Sequence, residues 1–162
     1  MAFDSRKLLY QLQQEALKWP LEELEQQYNQ WKTTDYPVES PEYLNEKNAL
    51  YNLETMLELK HHTGDFFGEN IPSHYYQKIV DCVNQYMDTY APGQADLKDY
   101  IRILTLYKVF IAKTPLHPKD LQLPGGGKIY KKGKDYFCTA KQQHIHDEES
   151  MCRFCVAKMC EY

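Results

Sequence analysis

Leu97-Lys98-Asp99-Tyr100-Ile101-Arg102-Ile103-Leu104-Thr105-Leu106-Tyr107-Lys108-Val109-Phe110-Ile111 reads as a helix that is apolar nearly all round. Leu97, Tyr100, Ile101, Leu104, Tyr107, Lys108 and Ile111 mark one face at helical spacing, and Ile103, Leu106, Val109 and Phe110 fill most of the remainder. A helix without a polar side must be covered by other elements, so this segment predicts a central helix in a mainly α fold.

Working toward the N-terminus, Ala91-Pro92-Gly93 separates that helix from one expected to start at Ser73, as its N-cap, and to end near Tyr90. Gly64 to Pro72 reads as a loop containing a partly buried turn, Asp65-Phe66-Phe67-Gly68. Ser40-Pro41-Glu42 supplies a cap followed by proline at the first helical position, which predicts a helix running to His62. Leu8, Leu9, Leu12, Ala16, Leu17 and Trp19 recur at helical spacing. Pro20 breaks that ladder and Leu21, Leu24, Tyr28 and Trp31 resume it, which predicts two short helices or one kinked helix.

Toward the C-terminus the pattern changes at Thr114-Pro115-Leu116-His117-Pro118. Leu123-Pro124-Gly125-Gly126-Gly127 reads as a hinge. Its Gly-Gly-Gly-Lys run lacks the spacing of a phosphate loop and leads into a strand. Lys128 to Cys138 reads as a β-hairpin turning at Lys132-Gly133, and a final short helix is expected to contain Cys155 to Lys158. The predicted fold is therefore a mainly α, multi-helix bundle-like body (1–113) with a small C-terminal hairpin and Cys-rich metal-binding segment (114–162), all within one domain of 162 residues.

Composition agrees with a globular chain, 43% hydrophobic and 14% aromatic with 14 tyrosines, at a mean hydropathy of −0.70. No stretch approaches the ~18 apolar residues of a membrane span, and the N-terminus resembles no export signal, so no membrane partner and a cytoplasmic location are expected. Five cysteines in such a chain predict reduced thiols rather than a disulfide framework. Charge is divided unevenly: residues 1–100 hold 8 basic against 17 acidic side chains, whereas residues 101–162 hold 11 against 6. An acidic body with a basic tail mildly favours a polyanion near the tail.

Cys138 follows the hairpin, and Cys152-Arg153-Phe154-Cys155 places two further thiols at C-x2-C spacing. That order resembles a treble-clef zinc module, in which a hairpin and the first helical turn each supply ligands, with backbone N–H groups at the helix start favouring thiolates. The second hairpin ligand is missing, because Lys141 stands where a cysteine is expected and a protonated lysine is a poor ligand. Candidates for the fourth position are His117, His144, His146, Cys160 and Cys82. The competing reading is that the thiols fill core space. Zinc is the favoured metal. An iron-sulfur cluster with one non-cysteine ligand is the alternative, and would make the chain a redox protein or metalloenzyme rather than a structural module that binds a protein or nucleic acid. Lys128, Lys131, Lys132 and Lys134, interleaved with Tyr130, Tyr136 and Phe137, could grip nucleic acid, although lysines that keep an edge hairpin soluble explain them as well.

The motifs Pro124-Gly125-Gly126, Tyr136-Phe137-Cys138 and Cys152-Arg153-Phe154-Cys155-Val156-Ala157 resemble an uncharacterised protein family of methanogenic archaea. The resemblance implies an intracellular archaeal protein and carries no activity, substrate or catalytic residue. A His-Pro before the glycine run belongs to that pattern and is matched by His117-Pro118, which favours His117 as the fourth ligand.

Overall fold

A computed structural model describes residues 2–31, 36–38, 40–123, 127–144, 146–147 and 150–159. The expectations placed on Pro124, Gly125, Gly126 and Cys160 fall outside these residues. Five helices make the body: α1 (Ser5–Glu15), α2 (Leu21–Trp31), α3 (Pro41–His61), α4 (Ser73–Tyr90) and α5 (Ala95–Tyr107). Pro20 does separate two helices, with a 3-10 turn (Ala16–Lys18) completing the first. Ser40 caps α3 by accepting from the Tyr43 N–H, and Pro41 occupies its first turn. Ser73 is not the cap of α4 but its first residue, and Pro72 precedes it without a side-chain cap.

Helix α5 takes the central place. Residues 103–110 are buried without interruption, and Ile103, Leu104, Leu106 and Tyr107 pack with Leu8 and Leu12 of α1, Met56 and Leu59 of α3, and Ile79 and Val83 of α4 in one core. Polar contacts brace the helices at their ends. Gln13 donates to the main-chain oxygens of Leu59 and His62 at 3.0 and 2.8 Å, satisfying carbonyls at the end of α3. Arg102 grips both carboxylate oxygens of Glu15 at 3.3 and 3.2 Å, tying α5 to α1.

Among the described residues, five short strands accompany the helices. β1 (Ala2–Asp4) pairs antiparallel with β2 (Asn70–Pro72), closing the loop between α3 and α4 onto the start of α1. β3 (Ile129–Lys132) and β4 (Asp135–Cys138) form the expected hairpin, turning through Gly133 at φ +64°. β5 (Lys158–Met159) then adds in parallel to β4. The expected helix from Cys155 to Lys158 is therefore absent: a 3-10 turn (Met151–Phe154) ends at Cys155, which is extended at φ −66° and ψ 138°. Pairing with β4 overrides the local helical pattern. Tail and body share packing, since Phe154 lies in the main core beside Tyr75.

Leu106 is fully buried at the centre of this core. Leu106→Ala should therefore lower unfolding stability by about 2–5 kcal/mol, read from the shift in urea midpoint, while a loss under 1 kcal/mol would contradict the central placement of α5.

Candidate metal centre

Where α5 ends, the helix widens into a π-helical turn (Lys108–Ala112), followed by Lys113 in the left-handed region at φ 55°. Such turns re-aim side chains and recur at functional sites. Lys108 stands at the head of this one and is 3% exposed. Its ammonium donates to Asn52 Oδ1 at 2.7 Å and to the Leu116 carbonyl at 3.4 Å, and lies 4.3 Å from the centre of the Tyr51 ring. Burial pulls its pKa down to about 7, with the Cys155 thiol acting in the opposite direction.

The chain beyond α5 is held against the body by three such contacts. Tyr51 of α3 donates to the Pro115 carbonyl, Lys108 reaches Leu116, and the Gln122 N–H donates to the Tyr43 hydroxyl at 3.4 Å. His117 is thereby presented from a braced segment. Burial, with Lys108 and His144 adding to it, holds its imidazole below the usual histidine range, so it is neutral at pH 7. Neutral imidazole is the form that ligates metal.

Cys138 ends β4 and enters a turn whose N–H groups, from Ala140 and Lys141, face its sulfur. Burial nevertheless pushes the thiol up, and the nearby Cys155 and Cys152 sulfurs add to the shift. Lys141, in place of the second knuckle cysteine, begins a single helical turn, α6 (Lys141–His144), and its ammonium donates to the Cys155 and Ala157 carbonyls at 2.8 and 2.7 Å. The lysine thus joins the Cys138 turn to the Cys155 segment directly. On the facing side, the Ser150 hydroxyl accepts from the Cys152 N–H at 3.2 Å, and the Cys155 sulfur accepts from the Leu116 N–H at 3.3 Å.

Cys138, Cys152, Cys155 and His117 all open on one cavity of about 640 Å³, together with His144 and Asp147. The structure does not bring every candidate there. Cys82 is buried on α4 with its sulfur 3.9 Å from the Ser150 carbonyl, and it does not line the cavity. His146 is exposed and also absent from the lining. Among the described residues, no group of three or more His, Cys, Asp or Glu side chains is arranged to hold a metal ion. The thiols share a chamber without sharing one coordination sphere. Cys152 lies in the first turn of the short 3-10 helix and Cys155 follows its end, so the pair opens a single 3-10 turn and not the expected α-helix.

Sequence reasoning missed the opposite wall. Asn45, Asn48 and Asn52 line the cavity from α3, and their 3- and 4-residue spacing on one helix face was the signal available. Lys108, on the apolar face of the central helix, is buried with the residues around it.

Two outcomes test this geometry. In metal-free protein, burial brings Lys108 down to about 7 from the ordinary lysine value of 10.5, so above pH 7 the unfolded state binds the extra proton and stability rises with pH. Between pH 7 and 9 the slope should be about 1 kcal/mol per unit in urea unfolding, and Lys108→Met should flatten it. Lys141→Met should speed amide exchange in residues 151–159 without changing helical content, and unaltered exchange there would refute the clamp.

Comparison with known proteins places the chain. The family model described as "Uncharacterized protein conserved in archaea (DUF2115)" matches residues 4–159. The UPF0305 protein of Methanocaldococcus jannaschii is 34% identical over 122 residues, covering 73% of this chain and 74% of its own. A UPF0305 protein of Methanothermobacter thermautotrophicus is 38% identical over 56 residues, 35% of this chain and 34% of its own, and that of Methanopyrus kandleri is 25% identical over 87 residues, 54% and 61%. No solved structure matches. No helix among the described residues is long and apolar enough to cross a membrane. With its matched region running from the first helix through the cysteine segment, the chain belongs to the archaeal DUF2115 family.

Proposed function

We propose that this chain binds one soft divalent cation, zinc, through Cys138, Cys152, Cys155 and His117, and that the ion fastens the C-terminal tail to the helical body. The observation that carries this reading is the convergence of those four side chains on a single cavity. Three features support it further. Backbone N–H groups face the Cys138 and Cys155 sulfurs, as they do where thiolates are metal-bound. His117 is neutral and held on a braced segment. A C-x2-C turn stands opposite the Cys138 knuckle, in keeping with a structural zinc module. Binding requires the tail to close on the ion, bringing sulfurs that already share a chamber into one shell. The role that follows is structural, with the exposed hairpin lysines Lys128, Lys131, Lys132 and Lys134 available to a protein or nucleic-acid partner.

One observation favours a second reading. About 640 Å³ is far more than a metal ion occupies and falls within the size range of small-molecule sites. A metalloenzyme or iron-sulfur protein with an exchangeable fourth ligand would use that space for substrate.

Metal analysis and a visible spectrum of anaerobically purified protein separate these. One equivalent of zinc and no colour supports the structural module, whereas a brown chromophore supports the cluster. Cys152→Ser should release the metal and leave the helical circular dichroism nearly intact. Wild-type protein with no bound metal and three freely reactive thiols would sink both readings.

A further inference from the structure

The chamber beneath the tail has the volume of a small-molecule site, about 640 Å³, and its lining is divided by chemistry. Tyr86, Tyr90 and Leu97 line it and are exposed, so they mark an open, apolar end. Lys108 lines it too and is 3% exposed. Leu97 and Lys108 stand eleven residues apart on one helical run, about 16 Å at 1.5 Å per residue. An apolar entrance therefore leads to a buried ammonium.

That ammonium lacks a counter-charge. Its two hydrogen bonds go to neutral acceptors, Asn52 Oδ1 at 2.7 Å and the Leu116 carbonyl at a long 3.4 Å, and a buried cation so placed is costly. The surroundings do not supply an anion. Among the described residues lining the chamber, Lys108 and Lys141 face a single carboxylate, Asp147, although the chain as a whole carries a net charge of −4. A local excess of positive charge inside an acidic protein selects an anionic guest. Lys141 is spent on the Cys155 and Ala157 carbonyls, which leaves one ammonium and so favours a single negative charge over a phosphate dianion. Asn48, half-buried one turn before Asn52 on α3, can donate to or accept from the body of the same guest.

We propose that this chamber binds a small organic carboxylate, with the anion beside Lys108, a polar group such as an amide against Asn48, and an apolar end against Ile101 and Tyr86. No ion takes part, and these four residues are none of those assigned above to zinc. The guest supplies the counter-charge that the fold withholds from Lys108.

N-benzoylglycine carries all three groups, and its carboxamide differs from it chiefly in lacking the charge. Both are titrated at neutral pH into the full chain, stripped of metal by dialysis against chelator, and followed by amide chemical shifts. N-benzoylglycine should bind saturably at millimolar concentration or below, with shifts at the chamber lining, and the carboxamide about tenfold more weakly. Lys108→Met should abolish that difference. Asn48→Asp sets a carboxylate on the amide wall at a half-exposed position, and should weaken N-benzoylglycine about threefold while sparing the carboxamide; this decides the matter if Lys108→Met does not fold. Equal binding of the two probes to wild-type protein, no saturable binding of N-benzoylglycine, or shifts that fall elsewhere would overturn the site. Displacement of N-benzoylglycine by inorganic phosphate at equal concentration would overturn the choice of a carboxylate. Binding is read without metal, so a chain that takes up no zinc leaves this result standing.

Discussion

The uninterrupted burial of residues 103–110 is the constraint on which the other elements depend. A helix with no wet face must be enclosed on every side, and α1, α3 and α4 supply the enclosure. The same burial extends to the next charged residue along the chain. Lys108 cannot turn its ammonium to solvent, so the neighbouring elements are arranged to receive it: an asparagine from α3, a carbonyl from the loop after α5, and the face of Tyr51. That loop is consequently pinned at Pro115 and Leu116, and the pinned loop carries His117 and one hydrogen bond to a cysteine sulfur. The core and the cysteine chamber are therefore successive consequences of one helix.

Lys141 illustrates a different substitution. In a four-ligand knuckle, the residue three positions after the first cysteine would hold the metal and so connect the hairpin to the facing turn. Here an ammonium makes that connection through two carbonyls, and Phe154 seals the tail into the main core. The segment is thus docked before any ion arrives. In zinc fingers with too little core of their own, metal and fold are inseparable. In this chain Lys141 and Phe154 dock the tail through protein contacts alone.

Much of the fold was readable in the sequence wherever the determinant was local. Ser40-Pro41, Pro20, Ala91-Pro92-Gly93 and the turn at Gly133 act within a few residues, and each marked a boundary correctly. The strands that escaped notice, β1, β2 and β5, are two or three residues long and exist only through partners distant in the chain. The same cause removed the expected final helix, since Lys158 and Met159 obtain their hydrogen bonds from β4. At the site, the cysteines and His117 were visible as residue types with a spacing. The asparagine wall and the role of Lys108 were not, because an amide or a lysine acquires chemistry only from what burial places beside it.

For the proposed metal site, the geometry distinguishes two histidines as candidates for a fourth ligand. His144 ends a single helical turn and is exposed. A ligand on such a turn would have to be ordered by the metal itself, at an entropic cost that weakens binding. His117 follows two residues whose carbonyls are already held by Tyr51 and Lys108, so most of that cost is met in folding the body. Burial also holds its imidazole below the usual histidine range. A braced, neutral histidine suits a permanent ligand. An exposed histidine on the rim of a chamber suits a group that meets an incoming molecule. The two imidazoles thus stand on differently held walls of the chamber, His117 beside carbonyls that Tyr51 and Lys108 hold and His144 at the end of the single turn that Lys141 begins.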